Sequence, residues 1–237
     1  MADRKCLIVD SMHPSLFPLL GDIGWQGDYE PEITPDQIKD RIGNYQGLIV
    51  RSKTIVNQSL LGDRPSIRFV ARAGAGVDNL DLEFLSSRNI SVVHAAEGNR
   101  DAVGEFTVGL LISLLRNIPK SNAEVSRFTW DREGNRGTEV MGKTIGLIGY
   151  GNMGRAFASR IAAFGCKVLA YDKYKSRFAD NFCREATMEQ IYAEADILSL
   201  HIPLSAETRM MVNADYLNRF AKNIVLLNTA RGEIVRL

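Results

Sequence analysis

Three glycines, Gly149, Gly151 and Gly154, carry the densest chemical signal in this sequence. They follow the β-branched and leucine run Thr144-Ile145-Gly146-Leu147-Ile148, and Arg155 to Phe164 then continue with helical periodicity. The spacing G-x-G-x-x-G therefore falls between a strand and a helix. Gly149 permits the tight turn, Gly151 lets the backbone approach a pyrophosphate with no Cβ between them, and Gly154 lets the helix lie close on the strand. The amides of a helix start, at the positive end of its peptide dipoles, form an anion site. Downstream, Cys166 to Tyr171 forms a second strand ending in Asp172. That is where this motif places a carboxylate that accepts from a ribose hydroxyl and repels a 2′-phosphate, so NAD is expected over NADP. Capping of the next turn is the simpler role for Asp172. Lys173 and Lys175, which follow directly, work against the selectivity.

A second candidate lies nearer the N-terminus. The strand Ile67 to Ala73 delivers Arg72 and the turn Gly74-Ala75-Gly76-Val77-Asp78. Amides exposed at the C-terminal end of a parallel strand suit a small anion such as a substrate carboxylate, although a plain turn would use the same residues. Arg51 ends the strand that begins at Gly47, placing a cation at a similar strand end.

The elements that must position these residues alternate between strand and helix. Lys5 to Asp10 is a short apolar strand followed by a helix through Leu16, Leu19 and Leu20. Thr34-Pro35-Asp36-Gln37 has the grammar of a capped helix start, with Gln37 able to close a capping box. Gly47 to Arg51, Ile67 to Ala73 and Ile90 to His94 are strands, separated by helices at Leu60-Leu61 and Asp81 to Arg88. Successive apolar positions in them predict a parallel sheet covered on both faces. Asp101 to Arg116 is the longest helix, with Val103, Phe106, Thr107, Leu110, Leu111, Leu114 and Leu115 forming an apolar face wide enough to need cover on most sides. Ser121 to Gly137 predicts an arm whose Phe128 and Trp130 bury elsewhere, across a dimer interface or on its own chain. Beyond the glycine turn, Ala195 to Pro203 and Asn223 to Ala230 are further strands, joined by a helix at Ala214 to Phe220, and a short strand is expected near Cys183. The fold class is thus α/β, with a substrate-binding domain at 1–98 and a dinucleotide-binding domain at 99–237.

Composition narrows the partners. With 237 residues and a net charge of +1 spread without long blocks, the chain carries neither a nucleic-acid footprint nor a membrane patch, and no apolar run reaches membrane-spanning length. Cys6, Cys166 and Cys183 are odd in number and mostly beside apolar runs, which predicts reduced thiols, no metal site and a cytoplasmic setting.

In sequence order, Val50-Arg51-Ser52, Arg72 to Asn79, Val103-Gly104-Glu105-Phe106-Thr107, the glycine turn, Leu200-His201-Ile202-Pro203-Leu204 with Glu207-Thr208, and Asn228 to Val235 resemble the motifs of the D-isomer-specific 2-hydroxyacid dehydrogenases. Within that family the likeness is greatest to the phosphoglycerate-oxidising branch. The resemblance implies two Rossmann-like domains with parallel sheets, a flavodoxin-like substrate domain and a dinucleotide domain, using NAD on a small 2-hydroxy or 2-keto acid; the apolar helix and the aromatic arm add the expectation of a homodimer. It implies that Gly74, Ala75, Gly76 and Val77 hold the substrate carboxylate, and that Arg51 and Ser52 meet the distal end, where Arg51 fits a phosphate or second carboxylate. Asn152 and Met153 would offer amides to the pyrophosphate. His201, Pro203 and Thr208 would line the adenosine, Thr229 and Ala230 would face the nicotinamide, and Arg231 would be the catalytic arginine.

His13, His94 and His201 are not expected to act as catalysts. The family's general acid/base is a histidine oriented by a glutamate, both following the arginine motif. Here Val235 is followed by Arg236 and Leu237 where the family has an acidic residue, so the expectation is a truncated copy lacking the last strands of the dinucleotide sheet. Two function classes follow: an NAD-dependent dehydrogenase, or a catalytically silent NAD-binding sensor or corepressor-like relative.

Overall fold

The computed structural model describes residues 4–63 and 65–236. They form two compact units, Met1–Asn99 and Arg100–Leu237. Each contains one five-stranded sheet, and every strand pairing in both sheets is parallel.

The first unit has strands β1 (Lys5–Ile8), β2 (Gln26–Tyr29), β3 (Gly47–Val50), β4 (Phe69–Arg72) and β5 (Ser91–His94), and helices α1 (Leu16–Asp22), α2 (Pro35–Arg41), α3 (Gln58–Leu61) and α4 (Leu82–Ser87). The strand order β2-β1-β3-β4-β5 is the flavodoxin-like arrangement. Alternation along the strands fills both faces of the sheet: Leu7, Leu48 and Val50 enter one core with Ile38, Val70 and Leu85, and Cys6, Ile8 and Ile49 enter the other with Leu20. The capping box of α2 is formed, with Gln37 N donating to Thr34 Oγ1 at 3.3 Å and Thr34 N to Gln37 Oε1 at 3.0 Å. β2 has no counterpart in the sequence reading, because Gln-Gly-Asp-Tyr has neither β-branched residues nor apolar alternation. It is an edge strand whose Gly27 lies against Ile8, where a Cβ would be 2.8 Å from Ile8 Cδ1.

The second unit has strands β6 (Thr144–Ile148), β7 (Lys167–Tyr171), β8 (Arg184–Glu185), β9 (Ile197–Leu200) and β10 (Val225–Asn228). Its helices are α5 (Arg100–Leu115), α6 (Ile118–Val125), α7 (Asn152–Ile161), α8 (Met188–Glu194) and α9 (Ala214–Leu217). The order β10-β9-β6-β7-β8 is the doubly wound dinucleotide order through its fifth strand. Ile145 and Leu147 face a core with Leu111, Phe157 and Ile161, and Ile148, Leu198 and Leu200 face one with Ile191 and Val212. α5 packs closely on α7, so a Cβ on Gly104 would lie 2.9 Å from Ala156 O. Within the chain, α5 buries one side. Gly104, Thr107 and Leu111 are its buried residues, whereas Phe106 is 61 % and Leu114 55 % exposed. Trp130 is likewise 82 % exposed and does not dock on its own chain. Among the described residues no single helix is long and apolar enough to cross a membrane.

Candidate functional site

In a parallel sheet all strands deliver their C-terminal ends to one edge. In the second unit the glycine turn follows β6, Asp172 follows β7, His201 to Pro203 follow β9, and Thr229 to Arg231 follow β10. The register aligns Ile148 with both Tyr171 and Leu200, and Leu200 with Asn228. These four candidate segments therefore share one end of the sheet.

The glycines in the turn are required for different reasons. Gly149 has φ +91°, and a Cβ there would lie 2.5 Å from His201 O. A Cβ on Gly154 would lie 2.2 Å from Gly149 O. Nothing lies within 4 Å of a Cβ on Gly151, whose φ is −87°. The chain's own atoms thus account for Gly149 and Gly154 but not for Gly151, which keeps open the space above the start of α7. Asn152, Met153 and Gly154 form the first turn of that helix, whose amides point out of its end. An anionic pyrophosphate fits this cradle.

The Asp172 carboxylate accepts from Tyr150 N at 2.9 Å, Tyr174 N at 3.0 Å and Lys175 N at 3.1 Å. It therefore caps its turn, the simpler role foreseen, and also ties β7 to the glycine turn. A carboxylate has about four lone-pair sites, so one remains for a ribose hydroxyl. Lys175 Nζ donates to Tyr150 O at 2.8 Å, and Lys173 pairs with Glu207. The Tyr150 side chain turns inward, where its hydroxyl donates to Asp180 Oδ1 at 2.9 Å. Burial works to raise the Asp180 pKa, but hydrogen bonds from Phe182 N, Tyr150 and Arg155 outweigh it and hold the carboxyl below its usual range.

His201 presents its backbone, rather than its imidazole, to the turn. The imidazole shares a hydrogen bond with Ser199 Oγ at 2.9 Å and packs on Phe157 with ring centroids 5.6 Å apart. Burial pushes its pKa down from 6.5 to about 4. Thr208 Oγ1 donates to Pro203 O at 2.8 Å and accepts from Ser205 N at 2.8 Å, closing the loop after β9. At the end of β10, Thr107 Oγ1 donates to Thr229 Oγ1 at 3.4 Å. Asn228 then shapes the turn that leads to Arg231, accepting from Ala230 N at 3.0 Å and donating to Arg231 O at 2.8 Å. Arg231 is half-buried. This organising role of Asn228 went unread in the sequence, where its only local signal is the ability of asparagine to bond its own turn.

In the first unit, Arg51 follows β3 and Gly74 to Val77 follow β4, at the same end of that sheet. The buried Asp10 carboxylate accepts from Arg51 N and fixes the backbone there. The Arg51 guanidinium and Ser52 are exposed. Arg72 Nε donates to Arg51 O and to Asn79 Oδ1, each at 3.1 Å, and Asn79 Nδ2 donates to Thr54 O at 2.7 Å. Ala75 O is bonded to His94 Nδ1 at 2.8 Å. Arg72, Asn79 and His94 thus shape this loop, leaving Arg51 as the cation presented at the strand end.

Residues 108–236 match the NAD-binding domain of the D-isomer specific 2-hydroxyacid dehydrogenases. The chain belongs to this family. Among its curated relatives, D-3-phosphoglycerate dehydrogenase of Methanocaldococcus jannaschii is 32% identical over 234 residues, covering 98% of this chain and 44% of that protein. The same enzyme from Rattus norvegicus is 35% identical over 234 residues, with 98% and 44% covered. The chain therefore spans less than half the length of these relatives. The fold is shared with a glyoxylate reductase from Paecilomyes thermophila, with a TM-score of 0.88 at 21% identity, covering 99% of this chain and 76% of that one. It is shared too with a D-lactate dehydrogenase from Aquifex aeolicus complexed with NAD and lactic acid, at TM-score 0.81, 22% identity and coverages of 98% and 70%. Among the described residues no group of three or more His, Cys, Asp or Glu could hold a metal ion.

Proposed function

We propose that this chain serves an oxidoreductase that moves a hydride between NAD and a D-2-hydroxy acid or its 2-keto acid, with 3-phosphoglycerate the leading substrate. The observation that carries the reading is the gathering of the glycine turn, Asp172, the loop after β9 and Arg231 at one end of one parallel sheet. The phosphoglycerate assignment is supported by the curated relatives and by Arg51, an exposed cation at a strand end.

The nicotinamide, when bound, supplies or accepts the hydride. The first turn of α7 holds the pyrophosphate through amides, Asp172 accepts from the adenosine ribose, and the backbone of His201 to Pro203, with Thr208, borders the adenosine. Thr229 and Ala230 face the nicotinamide. Arg231, a planar cation, binds the carboxylate and carbonyl of the 2-keto acid and stabilises the charge that builds on oxygen. Gly74 to Val77 offer amides to the substrate carboxylate, and Arg51 with Ser52 takes its distal anionic group. The three free thiols support a reducing, cytoplasmic setting. The exposed row Phe106, Leu110 and Leu114 on α5, with the aromatic arm, supports a homodimer.

A second reading, an NAD-binding sensor without turnover, is favoured by one observation. His201 is directed at Ser199 and is neutral near pH 7, so it is not placed to act as an acid. A positioned acid contributes about 10²- to 10⁴-fold to such a reaction. On this second reading the 237-residue polypeptide binds NAD in a calorimetric titration but oxidises 3-phosphoglycerate at least about 100-fold below an ordinary rate, whereas on the first it turns over. Normal turnover by a pure polypeptide of this mass would overturn the second reading; failure to bind NAD would overturn both.

A further inference from the structure

Asp172 is followed by two lysines, and a cation beside the ribose-binding carboxylate is what a 2′-phosphorylated dinucleotide needs. Both lysines are engaged elsewhere. Lys175 Nζ is bonded to Tyr150 O at 2.8 Å. Lys173 reaches to the loop after β9, its Nζ 2.6 Å from Glu207 Oε1 and 2.5 Å from Oε2, with the ammonium 5.8 Å from the centroid of the Tyr174 ring. Both partners are about half exposed, at 52% and 60%. An exposed pair of this kind contributes little to stability. Its larger consequence is electrostatic, because it cancels the cation next to Asp172 in the sequence.

We propose that Glu207 is a specificity-determining residue: by holding Lys173 it keeps that cation from a ribose 2′-phosphate and so favours the unphosphorylated dinucleotide. The proposal rests on the assignment of this unit as NAD-binding. Asp172 alone does not settle the preference, because a Lys173 not held by Glu207 would be its immediate neighbour in sequence and would offset its repulsion of a 2′-phosphate. A 2′-phosphate carries close to two negative charges at neutral pH. One released ammonium within several ångströms, in largely solvated surroundings, is expected to change its binding by about tenfold.

The test is calorimetric titration of NAD and of NADP into the 237-residue wild type and the variants Glu207→Ala, Glu207→Gln, Lys173→Ala and the double variant Glu207→Ala/Lys173→Ala. The ratio of the NADP to the NAD dissociation constant is expected to fall about tenfold in both Glu207 variants, to return to the wild-type value in the double variant, and to fall less at high salt. An unchanged ratio in both Glu207 variants overturns the proposal. So does a fall that persists in the double variant, since selectivity would then come from the charge of Glu207 itself. A wild type that binds neither dinucleotide counts first against the NAD-binding assignment, and the proposal falls with it.

Discussion

His201 illustrates how surroundings, more than residue type, decide what a side chain does. Its pKa is pushed down from 6.5 to about 4 by burial, so between those values an unfolded chain binds a proton that the folded chain refuses. Stability contributed by the neutral ring is complete above pH 6.5 and is lost as the pH falls toward 4, a difference of ~2–3 kcal/mol by pH 4.5. Urea unfolding at pH 7.5 and 4.5 should therefore show a smaller acid loss in His201→Gln than in the wild type, and equal losses would refute the account. Arg51 is the opposite case, an exposed guanidinium with its backbone fixed by Asp10. If it takes a substrate phosphate, Arg51→Ala should raise the KM for phosphohydroxypyruvate by about 10- to 100-fold in an active form of the protein, the loss expected for one charge-assisted contact. An unchanged KM would remove the residue from the site.

The strand-turn-helix of β6 and α7 separates folding from binding within a few residues. Gly149→Ala would force a Cβ to 2.5 Å from His201 O at a positive φ, and Gly154→Ala would force one to 2.2 Å from Gly149 O. Each is expected to lower the unfolding free energy by ~2–4 kcal/mol, because backbone must move to relieve the contact. Gly151→Ala meets nothing within 4 Å, so its stability should stay within ~0.5 kcal/mol of wild type. Its NAD affinity should nevertheless fall by about tenfold or more, since the new methyl group occupies the space of the pyrophosphate. Thermal unfolding with parallel NAD titration checks all three. A Gly151→Ala protein that binds NAD normally would refute the cradle.

On the scale of the whole molecule, the apolar groups left outside the four cores point to assembly. Phe106, Leu110 and Leu114 recur every four residues on α5, so they line one face of it, and Ile118, Val125 and Trp130 are exposed in the segment that follows. A second copy is the expected cover. Phe106→Glu combined with Leu114→Glu should convert a dimer into a folded monomer in sedimentation equilibrium, because two charges would be desolvated at the interface. A wild type that sediments as a monomer, or a double variant that stays dimeric, would reject this surface.

The sequence by itself determined the α/β class, the two-sheet plan, the capped start of α2 and the dinucleotide turn, because each rests on local grammar: residue period, caps and glycine spacing. It also singled out the Gly74 to Val77 loop and Arg51 from glycine spacing and strand-end position, and Arg231 only through a set of motifs shared with a family. Tertiary structure alone decided what those residues touch. β2 escaped notice because its strand character comes from pairing with β1 rather than from its own side chains. α5 showed a wide apolar face, yet its close packing on α7 at Gly104 selects only part of it for burial within the chain and leaves Phe106 and Leu114 outside. Lys173 looked like an argument against NAD selectivity until the fold brought Glu207 to it. No local pattern links those two positions, because β7 and β9 must first be laid on either side of β6 in the sheet, and that register is set by long-range burial rather than by neighbouring residues.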